Sequence, residues 1–231
     1  MIRSEQNGEG CESLRYQTIF FDLDGTLTDS GEGIMNSVAY ALREKGMPVP
    51  ERRALRRFIG PPLTEELQDA FGIGREEAAA LVAEFRVYFT ARGIYENRLY
   101  DGVPEMLESL RSGGCRLVVA TSKPEKFAVQ ILRRFGVLDR FAAVAGSTMD
   151  ENRTAKDEVL AYAMTRAGVT GPEGCVMVGD RRHDVLGAKK NGMRAMGVLY
   201  GYGERAELEE AGADLIAETV SGVAPLLLGR E

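Results

Sequence analysis

Two carboxylates follow a short apolar run near the N-terminus, where a buried charge would be costly. Asp22 and Asp24 come directly after residues 19–21 in the segment FFDLDGTLTDS. A buried carboxylate is unfavourable unless it is paired or bound to a metal. The pattern therefore allows two interpretations. It is either a strand that ends in an ordinary turn at Asp24-Gly25 or part of a reaction centre.

Polar side chains also end two later apolar runs. The run 116–122 ends in Thr121-Ser122, and the run 175–180 ends in Asp180, with Asp184 one helical turn further on. In open α/β sheets, ligands bind outside the carboxyl ends of the strands, and neighbouring strands lie about 4.8 Å apart. If the second and fourth strands flank the first, these acids and hydroxyls converge on one small volume.

Such a cluster needs positive charge. Its ligands are all oxygens, with no Cys or His among them, which favours a hard cation such as Mg²⁺. Four Asp residues and one divalent cation still leave a charge of about −2, which a buried Lys and a protonated Asp would bring near zero. Lys156, after the third apolar run, is the candidate for that Lys.

The segments that must position these residues alternate between strand and helix patterns. Amphipathic helical segments such as 103–114 and 126–136 separate the apolar runs. Each run has the length of a strand and is apolar on both faces, as in parallel sheets covered by helices. This alternation predicts a doubly wound, Rossmann-like α/β domain with a parallel sheet. The predicted strands are 18–24, 116–122, 141–147, 175–180 and 194–200.

One connection is too long for this alternation. About seventy residues between Ser30 and Tyr100 contain no convincing strand, so we expect an inserted structure of its own. We predict a small α-helical cap at 33–99, a core at 18–32 and 100–231, and a flexible leader at 1–17. The predicted cap helices lie within 34–46, 51–58, 64–72 and 75–93.

Composition excludes several functional classes. The chain of 231 residues is 44% hydrophobic and 28% charged, and its net charge of −6 comes from mixed acidic and basic residues. This mixture gives no basic face for nucleic acid, and no apolar stretch reaches the roughly 18 residues of a membrane span. The polar N-terminus is unlike a secretory signal, and three Cys, an odd number, suit a reducing compartment. We expect a cytoplasmic protein without membrane or nucleic-acid partners, and its oligomeric state is open.

The motifs together resemble the haloacid dehalogenase-like (HAD) superfamily. The set consists of DLDGTL, then TS at the end of a strand, then a Lys, then VGDRRHD, in that order. The helical insertion is similar to that of the helical-cap subclass. The pieces SGEGI, FIGPPL, YDGV and GVLYGYG resemble the phosphoglycolate phosphatase-like branch.

The resemblance implies a role for each residue of the first motif and for the metal ligands. Asp22 would attack phosphorus, and Asp24 would protonate the leaving alcohol and then deprotonate water. Gly25 would let the backbone approach the substrate. Asp180, Asp22 and the Asp24 carbonyl would bind Mg²⁺, and Asp184 would bind it through water or support its ligands.

The resemblance also implies how the phosphoryl group is held. Thr121 would bind a phosphoryl oxygen, supported by Ser122, and Lys156 would balance the charge. The family's Lys is often followed by Pro, whereas Lys156 is followed by Asp157. This departure leaves Lys123, beside Thr121-Ser122, as a rival for that role.

The implied activity is a phosphatase acting on a small phosphomonoester metabolite, with phosphoglycolate, a nucleoside 5′-monophosphate and pyrophosphate all open. A dehalogenase would be expected to lack the second acid, Asp24. A sugar-phosphate mutase of the superfamily typically has a His after that acid, where this chain reads SGEGI. A CheY-like receiver is much shorter and has no cap. Cap residues would select the substrate, and the candidates are Arg56, Arg57, Arg86 and Arg98.

Overall fold

The structure is a computed structural model that describes residues 15–150 and 152–229. Its eight strands are β1 (Thr18–Phe21), β2 (Thr28–Asp29), β3 (Arg98–Leu99), β4 (Arg116–Pro124), β5 (Ala143–Ser147), β6 (Cys175–Gly179), β7 (Arg194–Val198) and β8 (Leu215–Ala217). Six of them form a parallel sheet in the order β5-β4-β1-β6-β7-β8. The predicted doubly wound α/β fold is confirmed, and the second and fourth predicted strands do flank the first.

The sheet is buried on both faces, as its apolar strands predict. Phe20 pairs with Val118 on one side and with Met177 on the other, and all three side chains are inaccessible to solvent. Successive side chains of a strand point to opposite faces. Phe20 therefore packs in one core cluster, whereas its neighbour Phe21 packs in the other.

Helices connect the strands and cover the sheet. The six core helices are α5 (Val103–Ser112), α6 (Glu125–Arg134), α7 (Lys156–Ala167), α8 (Arg182–Lys190), α9 (Arg205–Glu210) and α10 (Val220–Leu228). Helix α8 follows the central strand β6 and helix α7 follows the edge strand β5, so the first turns of both lie at the carboxyl edge of the sheet. No helix in the described ranges is long and apolar enough to cross a membrane.

The inserted segment is helical, and we call its residues 31–93 the cap. It contains α1 (Gly31–Glu44), α2 (Arg52–Leu55), α3 (Leu63–Phe71) and α4 (Arg75–Tyr88). A 3₁₀ turn continues α2 over Arg56–Phe58, and a π turn continues α4 over Phe89–Gly93. Helix α1 packs along α4.

Three features of the fold differ from the sequence prediction: the hinge between cap and core, the last strand of the sheet, and the start of the packed domain. The cap is joined to the core by a two-stranded antiparallel ribbon of β2 and β3, which we call the hinge ribbon, and β3 lies in the segment between residues 30 and 100 where the sequence predicts no strand. Strand β8 was also missed. These strands have two or three residues, too few to show a period. Most of the predicted leader lies outside the described residues, but Tyr16 is buried in the core, so the packed domain begins before residue 18.

Candidate active site

Three carboxylates meet at the carboxyl edge of the central strands. Asp22 follows β1, Asp180 follows β6, and Asp184 lies in the first turn of α8. One oxygen of each lies within 4.8 Å of the others, and each residue is at most 2% exposed. Strand order explains this meeting, because β1 and β6 are adjacent and end at the same edge.

Lys156 lies inside this group of acids. It begins α7 and is 5% exposed, and its Nζ lies 2.9 Å from Asp22 Oδ1 and 2.7 Å from Asp184 Oδ1. The ammonium also donates a hydrogen bond to the Ala120 carbonyl at 3.2 Å. Burial opposes its charge, but the carboxylates of Asp184 and Asp22 outweigh burial and raise the pKa of Lys156. Lys156 is therefore a stable cation between two acids.

One ammonium does not neutralise three carboxylates. Burial raises the pKa of Asp22 to about 6, even though Lys156 favours its charged form. Burial, and then the charges of Asp184 and Asp22, raise the pKa of Asp180 well above its usual range. A divalent cation would relieve this repulsion, and an all-oxygen donor set fits a hard cation. The residues present therefore fit a metal site.

Asp24 lies beside this cluster but has a different partner. Its Oδ2 accepts a hydrogen bond from Lys123 Nζ at 2.6 Å, and both side chains are at most 7% exposed. Its buried Oδ1 has no hydrogen-bond partner within the described residues. The two candidate lysines are therefore not rivals for one place: Lys156 pairs with Asp22 and Asp184, and Lys123 pairs with Asp24.

Gly25 and the end of β4 complete the core side of the site. Gly25 has a φ of +85°, and a Cβ atom there would overlap the carboxylate of Asp180, so a side chain is excluded. Thr121 is buried, and its Oγ1 accepts a hydrogen bond from the Lys123 amide at 3.3 Å. Ser122 is also buried, and its hydroxyl has no hydrogen-bond partner in the part of the chain that the structure describes.

A cavity of about 200 Å³ lies between the cap and this edge of the core. Asp24, Ser122 and Lys123 line it on the core side, and its cap side is largely apolar and aromatic. Phe85 and Phe89 stack there with ring centroids 5.4 Å apart, and Lys123 Nζ lies 4.8 Å from the centroid of Phe89. The cap is therefore in direct contact with the core at the acid–lysine pair.

Of the four arginines predicted to select the substrate, only Arg86 lines this cavity. Arg57 pairs with Glu66 at 2.9 Å and Arg98 pairs with Asp29 at 2.8 Å, whereas Arg56 lies over the ring of Tyr202. Arg75 lines the cavity and was missed. Its position in sequence gives no signal, because the folding of α3 against α4 brings it there.

The site also contains residues that sequence reasoning left without a role. The backbone N–H of Tyr202 donates to Asp180 Oδ2 at 2.8 Å, and Thr26 Oγ1 lies 3.4 Å from Asp180 Oδ1. Tyr202 belongs to the motif GVLYGYG, whose pattern does not predict this contact. His183 lies in the first turn of α8, half-buried, where burial lowers its pKa.

Comparisons with known proteins agree with this geometry. The family model "Haloacid dehalogenase-like hydrolase" matches residues 19–198. A 5′-nucleotidase of Pseudomonas aeruginosa is 45% identical over 196 residues, which cover 85% of this chain and 88% of that protein. The tyrosine-protein kinase PtkA of Mycobacterium tuberculosis is 42% identical over 89% of this chain and 69% of its own length.

A phosphoglycolate phosphatase of Xanthomonas campestris pv. campestris is 34% identical over 187 residues, 80% of this chain and 84% of that protein. Among solved structures, a predicted phosphatase from Clostridium acetobutylicum superposes with a TM-score of 0.91 at 41% identity. That match covers 94% of this chain and all of the other.

Proposed function

The chain belongs to the haloacid dehalogenase-like hydrolases as a phosphatase, and we propose that it is a Mg²⁺-dependent enzyme that hydrolyses a small phosphomonoester through an aspartyl-phosphate on Asp22. The observation that carries the proposal is the arrangement at the end of β1. Asp22 lies within the buried acids and touches Lys156, whereas Asp24, two residues later, has a separate lysine. Two carboxylates in different environments can perform different tasks.

In the first step, a carboxylate oxygen of Asp22 attacks phosphorus and the bond from phosphorus to the leaving oxygen breaks. Asp24 donates a proton to that oxygen. In the second step, water loses a proton to Asp24 and attacks phosphorus, and the bond to Asp22 breaks. The unpartnered Oδ1 of Asp24 supports this assignment, because that oxygen is available for the proton while Lys123 holds Oδ2.

The remaining site residues have positioning and charge-balancing roles in the proposal. Asp22, Asp180 and the Asp24 carbonyl would hold Mg²⁺, and Asp184 would support them. A bound divalent cation supplies positive charge to the phosphoryl oxygens. Thr121 and Ser122 would donate hydrogen bonds to those oxygens, and Lys156 would keep Asp22 oriented by its 2.9 Å contact.

The cavity favours a substrate with an apolar, planar leaving group. Its volume of about 200 Å³ is that of roughly seven water molecules at liquid density, about 30 Å³ each. A glycolate leaving group would fill a small part of this space, whereas a nucleoside would fill most of it and stack on the phenylalanines. We therefore propose a nucleoside 5′-monophosphate as the first candidate, the activity in the name of the Pseudomonas relative. Phosphoglycolate is the second, because Arg75 and Arg86 line the cavity and could bind its carboxylate.

Phosphate release from a panel of substrates tests this proposal. The panel contains the 5′-monophosphates of purine and pyrimidine nucleosides, phosphoglycolate, pyrophosphate and a hexose phosphate. Asp22→Asn should be inactive on all of them, and acid-quenched parent enzyme should carry phosphate on the peptide that contains Asp22. Parent activity in Asp22→Asn would refute the mechanism. An incubation with ATP and tyrosine-containing protein tests the kinase activity in the name of PtkA.

Phe85→Ala separates the two substrate candidates. It should raise KM for a nucleotide about 10-fold or more, since base–aromatic stacking is worth about 1–3 kcal/mol, and leave phosphoglycolate nearly unaffected. Phe71→Ala is a matched control, because Phe71 is also a cap phenylalanine but does not line the cavity. Equal effects of both substitutions would remove the support for a stacked base.

A further inference from the structure

Tyr202 contacts the core and the base of the cap at the same time. It lies in the loop between β7 and α9, and its backbone N–H donates to Asp180 Oδ2 at 2.8 Å. Its phenol donates to Asp29 Oδ1 at 2.5 Å and accepts the N–H of Gly31 at 2.8 Å. Asp29 belongs to the hinge ribbon and Gly31 is the first residue of the cap. One residue thus connects the acid cluster to the point where the cap begins.

The second strand of the hinge ribbon is held by the same carboxylate. Asp29 Oδ2 accepts hydrogen bonds from Arg98 Nε at 3.1 Å and Arg98 Nη2 at 2.8 Å. Because Arg98 lies in β3, both strands that join the cap to the core are connected through Asp29 to the phenol of Tyr202. Arg56 of the cap also lies 5.7 Å from the centroid of the phenol ring.

The loop of Tyr202 is packed too tightly to move independently of Asp180. A Cβ atom at residue 203 would overlap the Asp180 carbonyl oxygen, and one at residue 201 would overlap the carbonyl oxygen of Gly25. The glycines of the YGYG segment therefore allow a backbone approach that other residues would block. This close packing explains the glycines of the GVLYGYG motif, which have no part in the proposed catalytic steps.

Arg181, the residue after Asp180, also holds the cap against the core. Arg181 Nη1 donates to the Ile59 carbonyl in the cap at 2.9 Å, and Arg181 Nε pairs with Glu207 of the core at 2.9 Å. Two residues therefore connect the acid cluster to the cap: Tyr202 and Arg181. Tyr202 is the one that acts on the hinge ribbon itself.

We propose that Tyr202 is a positioning residue that fixes the hinge ribbon to the acid-bearing edge of the core, and thereby controls the binding of substrates that fill the cavity under the cap. A hinge without this contact spends less time in the arrangement in which the cap lies on the core. The apparent affinity for a ligand that needs this arrangement falls by the same fraction. A substrate too small to contact the cap does not depend on it.

The test uses the full chain and two generic phosphatase substrates, and its kinetic part rests on the proposed function. Tyr202→Phe keeps the ring and the backbone bond to Asp180 but removes both hinge contacts. KM for p-nitrophenyl phosphate should rise about 10-fold, since a hydrogen bond to a charged group is being lost, with kcat changed less than about 2-fold. KM for acetyl phosphate, which has a small leaving group, should change less than about 2-fold on the same grounds.

Tyr200→Phe is the matched control. It removes a phenol hydrogen bond from the same loop, but to the Thr26 carbonyl of the core rather than to the hinge. It should leave both KM values near those of the parent. Asp29→Ala removes the contact from the hinge side and keeps the test open if Tyr202→Phe does not fold. Asp29→Asn retains an acceptor oxygen and should restore most of the parent KM.

Amide hydrogen exchange gives a result that does not depend on activity. In Tyr202→Phe, peptides covering residues 28–34 and 96–100 should exchange about 10-fold faster or more, because the Gly31 amide loses its acceptor. Peptides of α10 should be unchanged. Any one of four results would overturn the proposal. They are equal KM changes for the two substrates, no KM change for either, the same effect from Tyr200→Phe, and parent-like exchange at the hinge. If the parent hydrolyses neither these two substrates nor any member of the substrate panel, the proposed function fails, and the exchange result still decides the role of Tyr202.

Discussion

Neutralising the proposed nucleophile should make the metal-free protein more stable. Asp22 is 2% exposed, and burial raises its pKa to about 6 from an ordinary 3.8, despite the nearby Lys156. At 1.36 kcal/mol for each pKa unit, its ionised form costs about 3 kcal/mol of folding free energy at pH 7. Asp22→Asn has nearly the same shape and no charge, so it should recover up to about this amount.

The pH dependence gives the sign of the effect. Between pH 3.8 and about 6, folded Asp22 binds a proton that the unfolded chain has lost, so the contribution of Asp22 to stability falls as pH rises. Asn does not titrate. The stability advantage of Asp22→Asn should therefore be near zero below pH 4, grow through pH 4 to 6, and be constant above the folded pKa.

Thermal and denaturant unfolding in a chelator measure this advantage. For a chain of 231 residues, about 3 kcal/mol corresponds to a rise in Tm of about 6–12 °C at pH 7. Mg²⁺ should raise the Tm of the parent and reduce the difference, because a bound cation stabilises the ionised acids. Asp139→Asn, with a side chain that is 78% exposed, is the control and should change nothing. An Asp22→Asn protein that is equally or less stable than the parent at pH 7 in chelator would refute the reasoning.

Three further predictions concern the other charged groups of the site and the metal. Asp24→Asn should reduce turnover by about 10²–10⁴-fold, the usual contribution of a general acid–base, while phosphate accumulates on Asp22; turnover at the parent rate would exclude that role. Lys156→Met should lower the free energy of unfolding by about 3–5 kcal/mol, because it leaves buried Asp22 and Asp184 without their cation; an unchanged denaturant midpoint would contradict this. Chelation should stop phosphate release, and Mg²⁺ but not Ca²⁺ should restore it, since Mg²⁺ requires a compact octahedral set of ligands; turnover by demonstrably metal-free protein would rule out the metal.

The sequence by itself determined the core architecture and the place of the acids. Both are local properties. A run such as TIFFDLD is apolar on both faces and ends in carboxylates, so it specifies a buried parallel strand and a polar carboxyl end. The helical periods between the runs specify the crossovers. Asp22, Asp24, Asp180 and Asp184 could therefore be assigned to one edge of the sheet from the order and ends of the apolar runs.

Only the tertiary structure decided which charges pair. Lys123 is one residue from Ser122 and Lys156 begins a helix, and neither pattern says which acid each lysine reaches. The order of the strands brings α7 under Asp22 and Asp184, whereas the end of β4 brings Lys123 to Asp24.

The same is true of Tyr202, the hinge ribbon and the lining of the cavity. The phenol of Tyr202 meets Asp29 across 173 positions of sequence, and β2 meets β3 across the whole cap. Contacts this distant have no period and no local composition to reveal them. They are fixed by strand order and by the packing of the cap on the core, because these set which distant backbone segments lie side by side.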